Sequence, residues 1–118
     1  KKSRVTIARV YDIRVSKDKL NKFHRIAASI GNVVRRFHGT SCTCSAGVVQ
    51  NIGPCNDQGC AVCNICRHGF KLNLAGSARP AVGGYLRYGP GLYFSSSPTK
   101  SNDYAKGSEL NHNGRTYR

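Results

Sequence analysis

Hydrophobic positions change their period repeatedly along this chain. Val5, Ile7, Tyr11, Ile13 and Val15 occupy odd positions, interrupted by Arg9, and alternate with mostly polar neighbours. That is the two-residue period of a half-buried strand. Beyond Ser16 the apolar residues Leu20, Phe23, Ala27 and Ile30 recur at three- and four-residue steps. This spacing predicts a helix with one face laid against a sheet, Ser16 as its N-cap, Asp18 in its first turn and Gly31 as its stop. Val33 to His38 reads as a second strand, ending in the polar turn His38-Gly39-Thr40. Residues 41–69 show little hydrophobic pattern. Phe70, Leu72 and Leu74 then alternate as a short strand, and a Gly- and Pro-rich stretch follows as far as Pro90. A strand ending at Tyr93 and a helix opening at Ser97-Pro98 come next, because Ser caps and Pro fits the first helical position. From Lys106 to Arg118 the chain is polar without period, which predicts a surface segment or a poorly ordered one.

Strands and helices in this order predict an α+β fold, and 118 residues suffice for one domain with a modest core. No internal repeat is visible, and no apolar run approaches the ~20 residues of a membrane-spanning helix. The first residues, Lys-Lys-Ser-Arg-Val, lack the apolar core of a signal peptide, so the expected location is intracellular, nuclear or cytoplasmic. Lys1 and the absence of methionine agree with a fragment of a longer protein.

With little to bury, the stretch 41–69 needs a cross-link, and it holds all six cysteines: 42, 44, 55, 60, 63 and 66. Two overlapping Cys-x2-Cys steps are the spacing of a zinc knuckle, since backbone amides can face the thiolates while the sulfurs reach one tetrahedral ion. An even cysteine count leaves disulfides open, and unlinked thiols are the third reading. The absence of a secretion signal counts against disulfides. The formal charge is +14, and eleven of the basic residues precede His38 against Asp12 and Asp18 alone. Such a block is most simply a solvated face, and it would also attract nucleic acid, acidic proteins or a polyanionic product. His24 and His112 fall on polar stretches and read as solvated.

The candidate chemistry lies in the run from Gly91 to Tyr104. Tyr93 closes a strand, and Ser101 and Tyr104 stand one helical turn apart on the following helix. Two tyrosines, a serine and a lysine at these offsets suit a slot for a flat, polar heteroaromatic ring. Ordinary core tyrosines on a capped helix are the alternative.

His38-Gly39-Thr40, followed downstream by Tyr93-Phe94, Lys100-Ser101 and Tyr104, resembles the donor site of the poly(ADP-ribose) polymerase and tankyrase family of ADP-ribosyltransferases, and most closely its short fungal members. The resemblance covers most of the chain. It implies a split antiparallel sheet with flanking helices, incomplete at the C-terminus: residues 1–118 as one partial catalytic domain, with residues 41–69 as a cysteine-rich insertion. It implies NAD as substrate, with His38 on a ribose hydroxyl, Thr40 completing the motif turn, and the Gly39 backbone and Ser101 on the nicotinamide carboxamide. Tyr104 would stack on the nicotinamide face, Tyr93 would close the other side, and Lys100 would lie near the same pocket. His38 and Tyr93 are the candidate catalytic pair.

The same fungal relatives carry a cysteine six residues after the motif histidine and then Cys-x4-Cys-x2-Cys, which maps one structural zinc onto Cys44, Cys55, Cys60 and Cys63. The family's glutamate, on a late strand, has no counterpart, for the sole glutamate is Glu109 in a loop-like context. The expectation is therefore an NAD-dependent transferase in the parent protein, acting on a protein or nucleic-acid acceptor, and a fragment inactive by itself. A silent NAD-binding or interaction module of the same fold, and a basic zinc module that binds nucleic acid, are the competing functions.

Overall fold

The computed structural model describes residues 6–75, 88–105 and 109–117. These form a small α+β structure with three α-helices and one two-stranded antiparallel sheet, and the chain divides into two compact units, Lys1–Val34 and Arg35–Arg118. Among the described residues, no helix is long and apolar enough to cross a membrane.

The first unit contains α1, Lys17–Ile30, within one residue of the helix that the apolar spacing predicts. Ser16 Oγ accepts the Lys19 amide at 3.4 Å, and Asp18 sits in the positive first turn. Gly31 ends the helix at φ 73°, where a side chain would be strained, and its amide donates to the Ala27 carbonyl. The face expected to pack on a sheet is exposed: no residue of α1 is buried, and Phe23 keeps 53% of its surface. Residues 6–15 form no strand. Alternation alone does not make a strand, which needs a neighbouring strand to receive its amides and carbonyls, and none is formed with it among the described residues.

In the second unit the expected strands shrink to one rung. Phe37 and Ser95 exchange both backbone hydrogen bonds at 2.8 Å, which sets the residues before the His-Gly-Thr turn antiparallel to those following Tyr93. Helix α2, Ala61–His68, has Cys60 as its N-cap and places Arg67 and His68 in its last turn, where the helix dipole favours positive charge. The expected strand over Phe70–Leu74 is instead a 3-10 turn, Leu72–Leu74, since apolar alternation over so few residues does not exclude a turn. Helix α3, Pro98–Asn102, opens where the Ser-Pro step places it, with Ser97 Oγ accepting the Lys100 amide at 3.5 Å, and a 3-10 turn, Asp103–Ala105, continues it.

The described part of the tail, residues 109–117, lies at the surface as expected, yet it carries regular structure. Leu110–His112 (β1) and Arg115–Tyr117 (β2) pair as a hairpin with Leu110 opposite Tyr117. Asn113 and Gly114, at φ 49° and 70°, form its two-residue turn, and Asn-Gly is the pair that such left-handed turns favour. The Gly- and Pro-rich stretch expected at 75–90 lies mostly outside the described residues.

Candidate functional site

Sulfur occupies the centre of the second unit. Cys60 and Cys63 are its fully buried side chains among the described residues, and Cys44 and Cys55 are half-buried beside them. The segment 55–60 is shaped by Asp57, whose carboxylate accepts the Gly59 amide at 2.8 Å and the Thr43 hydroxyl at 3.1 Å. Asn64 on α2 donates to the carbonyls of Gln58 and Cys60 at 2.7 and 3.1 Å, and Arg67 donates to the carbonyls of Pro54 and Cys55. These bonds tie the loop to α2 without a hydrocarbon core.

The Sγ atoms of Cys44, Cys55, Cys60 and Cys63 all lie within 4.8 Å of one another, a group that could hold a metal ion. Cys44 Sγ stands 3.5 Å from Cys63 Sγ and 3.8 Å from Cys60 Sγ. A tetrahedral ion with metal–sulfur bonds of about 2.3 Å would hold its sulfurs about 3.8 Å apart, so the donor set fits an ion of zinc's size. All six cysteines are unbridged. The backbone amides of Ala46 and Cys55 donate to the sulfurs of Cys44 and Cys63 at 3.4 and 3.3 Å, as a thiolate site requires.

The thiols perturb one another. Burial pushes Cys60 up, but hydrogen bonds from Cys63 and Thr43 outweigh it and bring the thiol down to about 6. Cys44 is also lowered: burial opposes, while the Ala46 amide and the neighbouring thiols prevail. Cys63 is raised, by burial first and by the Cys60 and Cys44 sulfurs. At Cys55 the Asp57 amide pulls down, yet burial and Cys44 leave the thiol raised. Two of the four thiols are thus shifted down and two up, as neighbouring thiols that oppose one another's ionisation are. Cys42, which the sequence reading left aside, belongs to the same cluster, with its sulfur 3.8 Å from Cys44 Sγ and 3.9 Å from Cys60 Sγ, and burial first among causes pushes it up to about 11. Its Cys-x-Cys step with Cys44 was the available signal.

The residues of the expected donor site meet beside this cluster. His38 Nδ1 lies 2.8 Å from the Tyr93 carbonyl, and since a carbonyl only accepts, Nδ1 carries the proton and Nε2 is the basic nitrogen. The imidazole is wedged edge-on to Phe70, centroids 5.0 Å apart, and tilted against Phe94 at 5.4 Å. Gly39 approaches α3 so closely that a Cβ there would fall 1.7 Å from the Ser101 carbonyl oxygen and 3.1 Å from Tyr104 Cβ. Ser101 is 7% exposed, the one buried polar residue among those described.

A cavity of about 270 Å³ opens here, lined by His38, Gly39, Thr40 and Ser101 together with the apolar Phe37, Val62, Pro98 and Ala105 and the amide Asn102. It is open to solvent and lies just under the ~300–1,000 Å³ of sites that take drug-sized ligands, a volume on the scale of a single ring. Lys100, Tyr93 and Tyr104 do not line it. Tyr93 reaches the site through its carbonyl, and its hydroxyl donates to the Gly89 carbonyl. Val62 was not legible as a wall residue, since nothing in its local sequence points at the His-Gly-Thr turn. No family model, curated protein or solved structure matches this chain.

Proposed function

We propose that this chain carries the donor-binding part of an NAD-dependent ADP-ribosyltransferase, with its cysteine group holding one structural zinc. One observation carries the reading: His38, Gly39, Tyr93, Ser101 and Tyr104, dispersed over 67 positions (104 − 38 + 1), converge on one turn. The turn and α3 touch at the one residue, Gly39, that has no side chain to hold them apart. In this reading nicotinamide presents its carboxamide to the Gly39 backbone and Ser101, a pairing that needs both a donor and an acceptor. Tyr104, which stands beside Gly39 outside the cavity lining, would cover the ring, and His38, fixed by Tyr93 and two phenylalanines, would address the ribose. Catalysis then rests on holding nicotinamide still while positive charge develops on the ribose, a matter of positioning and electrostatics. Four thiolates would close the coordination shell of the zinc, so the ion contributes folding energy and no reaction step.

Calorimetric titration of nicotinamide and NAD tests this directly. Stacking on an aromatic face is worth about 1–3 kcal/mol, so Tyr104→Ala should weaken binding about tenfold or more. Unchanged affinity removes the slot. Binding that follows salt concentration and nucleic acid instead of nicotinamide favours the basic zinc module, whose observation is that Lys17, Lys19, Lys22 and Arg25 of α1 are all exposed.

A further inference from the structure

One wall of the cavity comes from the cysteine insertion. Val62 lines it, and Val62 belongs to α2, whose N-cap is Cys60 and whose first turn carries Cys63. The Val62 amide donates to the Ser41 carbonyl at 3.2 Å, directly beyond Thr40. Thr43 adds its bond to Asp57, and Cys44 brings its sulfur to those of Cys60 and Cys63. The segment leaving the His-Gly-Thr turn is therefore joined to α2 by an amide, a hydroxyl and a set of thiols. An ion among those thiols would bond to both sides of the same junction.

We infer that Val62 is a specificity-determining residue of the cavity and that the metal centre holds it in place. With the ion bound, α2 keeps the Val62 side chain opposite Ser101 and Pro98, and the gap admits one flat ring bearing a carboxamide. Without it, one backbone hydrogen bond from Val62 and one side-chain bond from Thr43 remain between the two segments, too few to fix the wall. The identity of the ring rests on the donor-site reading above; the existence of a metal-held wall does not.

Two measurements on the 118-residue chain decide this. Amide hydrogen exchange at Gly39, Thr40, Ser41 and Val62 is followed with one equivalent of zinc and after chelation; exchange at Val62 should accelerate at least about tenfold on metal removal. Nicotinamide is then titrated into metal-loaded wild type, Val62→Phe and Val62→Ile. Phenylalanine should weaken binding at least about tenfold by filling the cavity, while isoleucine should stay within about threefold. A Val62→Phe protein that keeps its metal and binds nicotinamide as wild type does overturns the inference, as does Val62 exchange that ignores the metal. Should Val62→Phe lose its metal, Val62→Ala makes the same comparison by widening the cavity, and unchanged affinity is again fatal. If wild type binds no nicotinamide, the donor-site reading fails and the exchange rates alone judge the wall.

Discussion

Along α1 the residues Leu20, Phe23, Ile26 and Ile30 form an apolar stripe, and every one of them is exposed; in residues 41–69, whose one amphipathic stretch is the short α2, Cys60 and Cys63 are completely buried. The helix of the first unit is held by its own ends, through Ser16 and Gly31. The segment around the thiols is held by contacts between residues far apart in sequence: Thr43 to Asp57, Arg67 to the Cys55 carbonyl, and the Cys44 sulfur to those of Cys60 and Cys63. Periodicity in a sequence specifies the local element and says little about whether a partner covers it. Cysteine spacing specifies a convergence point, because thiolates that share an ion must come together whatever lies between them.

The contrast breaks most sharply on metal removal. Structural zinc sites carry apparent binding energies on the order of 10 kcal/mol, far above what the few buried groups of residues 41–69 could supply. Chelation, or Cys60→Ser, should take the metal content from one equivalent to none by elemental analysis and abolish amide protection across Ala61–His68. The helix Lys17–Ile30 should keep its carbon chemical shifts. Loss of α1 together with α2 would show that the two regions share one source of stability.

How much of this was legible follows the same division. Both capped helices were, because Ser16, Gly31 and Ser97-Pro98 act within a few residues of themselves. The thiol group of Cys44, Cys55, Cys60 and Cys63 was reached through the family resemblance and is the group that comes together. The strands were not legible: residues 6–15 alternate without forming a strand, and Val33–His38 contributes one bridge at Phe37. Strand formation depends on a neighbour that local alternation cannot specify. The hairpin at Leu110–Tyr117 had a local signal after all, Asn113-Gly114, hidden by the polarity of its flanks. Convergence of Gly39 on Ser101 was expected from the family pattern, whereas the approach of Val62 depends on the path of the insertion.

Within the second unit, Gly39→Ala sharpens the comparison on a smaller scale. A methyl group there meets the Ser101 carbonyl at 1.7 Å, so α3 must move away from the turn. Overpacking of this kind costs about 1–3 kcal/mol. The expected result is a lowered midpoint in chemical denaturation followed at α3, with zinc content unchanged, since none of the four sulfurs belongs to the turn or to α3. Nicotinamide affinity should fall with it. A fully stable Gly39→Ala protein would mean that the turn and α3 are not pressed together in solution.

The smallest effect belongs to α1, and it separates local from tertiary stability most cleanly. A fourteen-residue helix in water is marginal by propensity alone, and this one has no buried residue to add to it. Its first free amides depend on Ser16, so Ser16→Ala removes a cap worth about 0.5–2 kcal/mol. A marginal helix responds in proportion: the Lys17–Lys22 turn should fray, with carbon shifts there moving toward coil values, while Ile26–Ile30, nearer the Gly31 end, changes less. In a helix locked against a core the same substitution would lower global stability and leave the shifts alone. Salt should amplify the fraying slightly by screening Asp18 from the helix dipole. Unaltered shifts in Ser16→Ala, with or without salt, would show that something other than its caps holds α1, and the exposed stripe of Leu20, Phe23, Ile26 and Ile30 would then be where to look for it.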